Sequence, residues 1–287
     1  MARPSTLRAL LAVCLQLLAS SLKESSAFLL PAAHSSRRCR RTVAAWAADT
    51  DPEPESGASS GADARQLQIA FVTGNEMKRK EVQLILSQHG ATTSSAVDLR
   101  LLNVDLPEIQ EINTEAIAKH KAMQGAQLAG GPCVVEDTSL EFAALGGMPG
   151  PFIKWFQDKL KSDGLYRILR DYDDKSAEAV CTLAFCPAPH ADPVVFTGRT
   201  KGRIVKPVEG GGFGWDSIFV PDDGPVEGVP FSGMSTEDKC LVSHRGRAVR
   251  KWADWIGVNQ DVLWDRQEGK VEIGHKGLDF KTSFAEQ

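Results

Sequence analysis

The stretch from Cys133 to Leu145, CVVEDTSLEFAAL, constrains this chain most, because a short apolar run there delivers two adjacent carboxylates, Glu136 and Asp137, to its end. Bounded by Gly130-Gly131-Pro132 before it and Thr138-Ser139 after it, the run reads as a buried strand that stops at the acids. Open α/β sheets place ligands at the carboxyl ends of such strands. Glu136, Asp137 and Glu141 then crowd about one turn of chain. Two carboxylates ~4 Å apart at an effective dielectric of about 20 repel by roughly 4 kcal/mol, so a metal or a lysine is needed beside them. A plainer reading makes Asp137 or Thr138 a helix N-cap with Glu141 in solvent; the other stretches decide between the two.

With 287 residues, 42% apolar and 24% charged, the chain can bury a sizeable core. A net charge of −4 gives no support to a nucleic-acid partner. That charge is unevenly spread. Residues 1–48 carry Arg3, Arg8, Lys23, Arg37, Arg38, Arg40 and Arg41 against Glu24 alone. Ala9 to Ala19 is an apolar run of signal-peptide length, too short for the ~20 residues of a bilayer span. Behind Ala27-Phe28 the segment to Ala48 is rich in Arg, Ser and Ala and free of acids, which is transit-peptide composition. A signal followed by a transit segment is a two-stage address, similar to that of algal plastids behind extra membranes; mitochondrial import or plain secretion are the alternatives. The mature form is expected free of membrane. Residues 49–65 read as a disordered linker, 66–258 as the folded domain and 259–287 as a polar tail without clear periodicity. The cysteines show no paired spacing, and the scattered histidines give no zinc pattern.

Within the domain, QLQIAFVT followed by Gly74-Asn75 and EMKRKEVQLILSQHG predicts strand, tight turn and helix, with Val82, Ile85, Leu86 and His89 on one face and Gly90 as the stop. Free backbone N–H groups there, with Lys78, Arg79 and Lys80, make an anion site. Val97 to Leu106 predicts a second strand, ended by Pro107 so that Glu108 stands on a loop; Asn113 caps a helix carrying Lys119 and Lys121. Phe152, Trp155, Phe156 and Leu160 form an apolar stripe for core or dimer contact, with a separate short helix from Asp163 to Leu169. Glu178–Cys186 and Val194–Val205 predict an antiparallel hairpin. A glycine loop, 210–212, leads to Phe213-Gly214-Trp215-Asp216, whose flat aromatics beside a carboxylate suit a purine, with a short strand from Ser217 to Val220 behind it. Lys239, Ser243, His244 and Arg245 precede a helix burying Ala248, Val249, Trp252, Trp255 and Ile256 and closed by Gly257.

From Leu67 to Gly257 these stretches resemble the inosine triphosphate pyrophosphatase family, through FVTGNEMK, LPEIQ, VVEDTSL, GGMPGPFIKWF, GRTKGRI, FGWDSIFVPD and LVSHRGRA in order. The resemblance implies an α/β fold, a long curved mixed β-sheet flanked by helices, in two lobes with a central cleft, working as a homodimer. It implies hydrolysis of ITP, dITP and XTP to monophosphate and pyrophosphate with Mg2+, Mn2+ being a substitute. It also implies roles: Thr73, Gly74, Asn75, Lys78 and Lys121 for the phosphates, Glu108 and Asp137 for the metal, and Asp137, Glu136 and Lys78 for catalysis. Thr138, Phe213, Gly214, Trp215, Asp216, Lys239, Ser243, His244 and Arg245 form the base set. Either Asp137 or Glu136 takes the proton of the attacking water. The family is usually cytoplasmic. Ser232 and Gly233 replace its acidic residue, Cys240 a common asparagine and Glu111 a frequent glycine. A regulator without catalysis would have lost one of the acids, and the Maf-type triphosphatases lack the FGWD and SHR stretches.

Overall fold

The computed structural model describes residues 66–89, 97–210 and 212–270, so the presequence, the linker, Gly90, Gly211 and the tail from 271 lie outside the described residues. In chain order the elements are β1 (Leu67–Val72), α1 (Glu76–Gln88), β2 (Val97–Leu102), α2 (Thr114–Ala129), β3 (Cys133–Phe142) and β4 (Pro149–Gly150). There follow α3 (Ile153–Ile168), β5 (Ser176–Cys186), β6 (Val194–Ile204), β7 (Phe219–Pro221), α4 (Thr236–Val242) and α5 (His244–Gln267). The seven strands form one mixed sheet in the order β2-β1-β3-β5-β6-β7, with β4 on β3. β2, β1 and the start of β3 run parallel; β3, β5, β6 and β7 pair antiparallel. The class expected from sequence, a mixed α/β sheet flanked by helices, is the one observed.

β3 is where sequence and structure part. The sequence pattern puts the acids at the tip of a strand, yet β3 runs through them for ten residues to Phe142. The reason is its second neighbour. β1 follows β3 only to the pair Val72↔Val135, while β5 accompanies it along its whole length, so the ladder with β5 carries the strand onward. Beyond Val135 the other edge of β3 is open, and there the chain of β1 turns away into α1. Neighbouring residues of a strand face opposite sides of the sheet, but both Glu136 and Asp137 border this gap.

Alternation divides the core. Leu67, Ile69 and Phe71 of β1 join Val134 and Phe185 in a cluster with Val82, Ile85, Trp252 and Trp255 of α1 and α5. Ala70 and Val72 face the other side, against Ala118, Ala122 and Ala126 of α2. A third cluster, with Leu140, Phe142, Ile204, Phe219 and Phe231, continues on the first face toward β7. Glu136 therefore lies on the face shared by two apolar clusters, and Asp137 on the face of α2. Fully burying each large apolar side chain contributes about 1.5–3 kcal/mol, so the acids sit in a frame that resists rearrangement.

Four other expectations are corrected. β2 stops at Leu102, short of Leu106, because its pairing with β1 ends there. The run 217–220 divides into a 3₁₀ turn over Asp216–Ile218 and the strand β7. The two expected helices in 152–169 form one element whose backbone breaks at Lys161, with φ of +56°. Gly257 does not close the last helix: α5 continues to Gln267, burying Asn259 and Leu263, so the folded unit passes the expected boundary at 258. A single glycine costs a helix only about 1 kcal/mol, less than Leu263 gains in the core.

One close approach fixes α5 against the sheet. A methyl group on Gly198 of β6 would overlap the carbonyl oxygen of His244 and lie 2.5 Å from the Ala248 nitrogen. Only hydrogen fits between strand and helix here. Thr200 Oγ1 donates to the Val242 carbonyl at 2.8 Å just beyond.

Candidate active site

The gap beside β3 opens into a cleft of about 740 Å³, within the range of small-molecule sites. Thr73 to Lys78 line one wall, Glu108 and Lys121 another, Glu136 to Thr138 the floor, and Phe213 to Asp216 with His244 and Arg245 the far end. Of the expected site residues, Lys239 and Ser243 stand behind this lining, and the others border it.

At the near end the turn after β1 is built by its own polar side chains. The Asn75 N–H donates to Thr73 Oγ1 at 3.1 Å, and Asn75 Oδ1 accepts from the N–H groups of Met77 and Lys78 at 3.0 and 3.2 Å. Asn75 is thus the N-cap of α1, and the helix start turns its positive end to the cleft. Asn113 caps α2 in the same way, which sets Lys121 two turns further on, facing β3.

Lys121 Nζ donates to Glu108 Oε1 at 2.9 Å and to Asp137 Oδ1 at 3.2 Å, meeting the cationic requirement that the sequence imposed. Burial would lower the Lys121 pKa, but Asp137 and Glu108 hold it above its ordinary value. Burial likewise pushes at Glu108, where Lys121 prevails and the carboxyl lies below its usual range. In Asp137 burial wins and its pKa is raised against the pull of Lys121 and Lys78. Asp137 Oδ2 is buried with no hydrogen-bond partner. An ionised oxygen left so is costly, and together with Glu108 it offers the hard oxygen set that magnesium takes. The residues present fit that ion.

Glu136 has a different task. Its oxygens accept from Arg245 Nε and Nη2, each at 2.8 Å, and from Thr138 Oγ1 at 2.8 Å, while Lys78 Nζ lies 3.1 Å away. Burial would raise its pKa, yet Arg245 and Lys78 hold it well below the carboxylate range. A carboxylate so held is a poor base. The geometry therefore favours Asp137 of the two acids left open by sequence, with Glu136 tying floor to far wall.

At the far end Asp216 Oδ2 accepts from the Phe213 N–H at 2.8 Å and from Lys239 Nζ at 2.7 Å, and burial raises its pKa. The His244 ring lies 5.4 Å from that of Trp215 and 6.1 Å from that of Phe231. Burial, with Arg245 adjacent, depresses its pKa well below normal, so it is neutral. Both ring nitrogens are buried without a partner, a polar group awaiting one. Ser243 Oγ accepts from the Gly246 N–H at 3.0 Å and caps α5, a structural duty that explains its place behind the lining. Lys239 lies beneath the Phe213 ring, 4.6 Å from its centre.

Sequence reasoning missed two residues here. Lys154, on α3, borders the cleft 3.8 Å from Asp105; its signal was a lysine in an otherwise aromatic run. Glu81, 6% exposed, joins Lys239 to Arg245; its signal was its place one turn beyond Lys78 on the buried face of α1.

A mixed α/β sheet with a helix N-terminus, paired lysines and acids at one end of a cleft, and aromatics with buried charges at the other, defines a protein built for a polyanion bearing a flat ring. The Ham1 family model matches residues 69–255, and the chain belongs to that family. It is 44% identical over 189 residues to the inosine triphosphate pyrophosphatase of Ajellomyces capsulatus, covering 66% of this chain and 96% of that one. To the protein of the same name from Tuber melanosporum it is 45% identical over 188 residues, again 66% and 96%. The fold is similar to that of a HAM1 protein from Coxiella burnetii, with a TM-score of 0.56 at 24% identity, covering 67% of this chain and 99% of that one.

Proposed function

We propose that this protein hydrolyses the triphosphates of non-standard purines, ITP, dITP and XTP, to monophosphate and pyrophosphate. The observation that carries the reading is the division of one cleft into a lysine-and-acid end, with Lys121 between Glu108 and Asp137, and an aromatic end closed by neutral His244 and Arg245. The family and the relatives' names agree with it.

Asp137, the acid with the raised pKa, accepts the proton of water attacking the α-phosphorus. Lys78 and Lys121, with the α1 N-terminus, hold the departing pyrophosphate, and Lys154 adds a cation at the mouth. Glu108 and Asp137 would hold Mg2+, with Mn2+ as a substitute. Bound there, the ion supplies neutralisation of the triphosphate charge. At the far end a 6-keto group accepts from Arg245 and a protonated N1 donates to Asp216. Adenine reverses that pattern. Leaving buried polar groups unpaired against it is worth roughly 10⁴-fold.

The test is a panel of ITP, dITP, XTP, GTP, ATP, dTTP and UTP with Mg2+, reading monophosphate and pyrophosphate. ITP and XTP should lead; preference for dTTP or UTP, or no release at all, defeats the reading. Trp155 stands 57% exposed on α3, which supports a homodimer through that surface, checked by the sedimentation of wild type against Trp155→Glu. The composition of residues 1–48 supports plastid delivery.

A further inference from the structure

We propose that Glu81 is the positioning residue for base selection, holding the donor and the acceptor of the far wall in register although it does not border the cleft. This rests on the function proposed above.

Glu81 follows Lys78 by three positions on α1, so it faces the sheet with Val82 and Ile85 rather than solvent. A carboxylate at 6% exposure persists only with partners. It has two. Oε1 accepts from Lys239 Nζ at 2.8 Å, and Oε2 accepts from Arg245 Nη1. Among the described residues Glu81 is the one acid bonded to both cations. Arg245 borders the cleft directly. Lys239 does not, but it passes the constraint on by donating to Asp216 at 2.7 Å. Glu81 thus sets Arg245 at first hand and Asp216 through one ammonium.

The bonds that remain show what this register serves. Of five guanidinium N–H groups, Nε and one on Nη2 are given to Glu136 and one on Nη1 to Glu81. Nη1 and Nη2 each keep one N–H, in the fixed plane of the fork. With Glu136 on one side and Glu81 on the other, that plane cannot rotate. An arginine held by Glu136 alone could pivot about a single bidentate edge. The Phe213 ring covers both cations, 4.6 Å from Lys239 Nζ and 5.7 Å from the Arg245 guanidinium carbon, so neither is free to recruit water in place of the lost acid. The ion pairs run without a break from Lys78 through Glu136, Arg245, Glu81 and Lys239 to Asp216. They join the phosphate end of the cleft to the base end.

The experiment compares wild type, Glu81→Gln and Glu81→Asp for steady-state release of pyrophosphate from ITP and from ATP, with the thermal midpoint of each. Glutamine keeps the shape but presents N–H groups to a cation. Its kcat/KM for ITP should fall 10- to 100-fold, mainly through KM, while ATP, which does not use the Arg245–Asp216 pattern, changes less than threefold. The ITP/ATP ratio then drops at least tenfold. Aspartate keeps the charge but is one methylene too short to span both cations, so it should restore part of the ratio. A Glu81 that only stabilises the fold would lower the midpoint and both nucleotides by one factor, leaving the ratio unchanged; that result overturns the proposal. If the glutamine protein does not fold, the aspartate protein decides, an unaltered ratio again overturning it. A wild type that does not prefer ITP defeats the proposed function instead, which keeps the two failures apart.

Discussion

Asp137 and Glu136 are neighbours in sequence whose surroundings assign them opposite work. Asp137 keeps an unpartnered buried oxygen and a raised pKa, and Glu136 is saturated by Arg245, Lys78 and Thr138. Asp137→Asn alters little volume and relieves the burial of charge, so circular dichroism should show an unchanged fold. Turnover of ITP should fall at least 10²-fold, the typical worth of a proton-accepting group; a variant retaining half the wild-type rate would remove Asp137 from the mechanism. Glu136→Gln is expected to act otherwise. It strips a buried arginine of its partner, which costs about 3–5 kcal/mol, and should appear first in a denaturant melt. His244 adds a pH signature. Its pKa is lowered in the folded chain relative to the unfolded one, so the unfolded chain binds the proton first and stability is lost as pH falls below the ordinary histidine value of about 6.5. Asp137 and Asp216, with raised values, work in the opposite sense. The melting temperature should therefore drop more steeply between pH 7 and 5 in wild type than in His244→Phe, where an aromatic ring still fills the space between Trp215 and Phe231; equal slopes would refute it.

Among the elements, α5 shows what a sequence pattern reveals and what it conceals. Its first four turns were legible because Ala248, Val249, Trp252, Trp255 and Ile256 repeat at helical spacing. Its last turns were not, since Gly257 and polar neighbours mask one apolar contact, Leu263, and the burial of Asn259 rests on its donation to the Trp255 carbonyl at 2.9 Å. β3 misled differently. The acids look like a strand end from either side, and only the pairing with β5, distant in sequence, shows that the ladder continues. The caps Asn75 and Asn113 were readable because such caps depend on one residue and its own helix; the partners of Glu81 were not, lying 158 and 164 positions away. If α5 truly extends the fold, Leu263→Ala should cost about 2–5 kcal/mol in a urea melt, and ending the chain after Gly257 should cost more. No change in either would restore the shorter domain.

For the whole molecule, address and catalysis separate along the chain. Residues 1–64 fused to a fluorescent reporter should enter the plastid of a cell that possesses one, and a diffuse cytosolic signal would contradict that reading. The folded part holds its selectivity by contact between backbones, most tightly at Gly198. In a survey scoring every single substitution for nucleotide discrimination, position 198 should group with Arg245, although its residue has no side chain and borders no cleft. Alanine there displaces the first turn of α5 from the sheet. A sequence with every residue around the cleft intact and alanine at 198 would look competent to a reader of motifs and be blind to the base it holds.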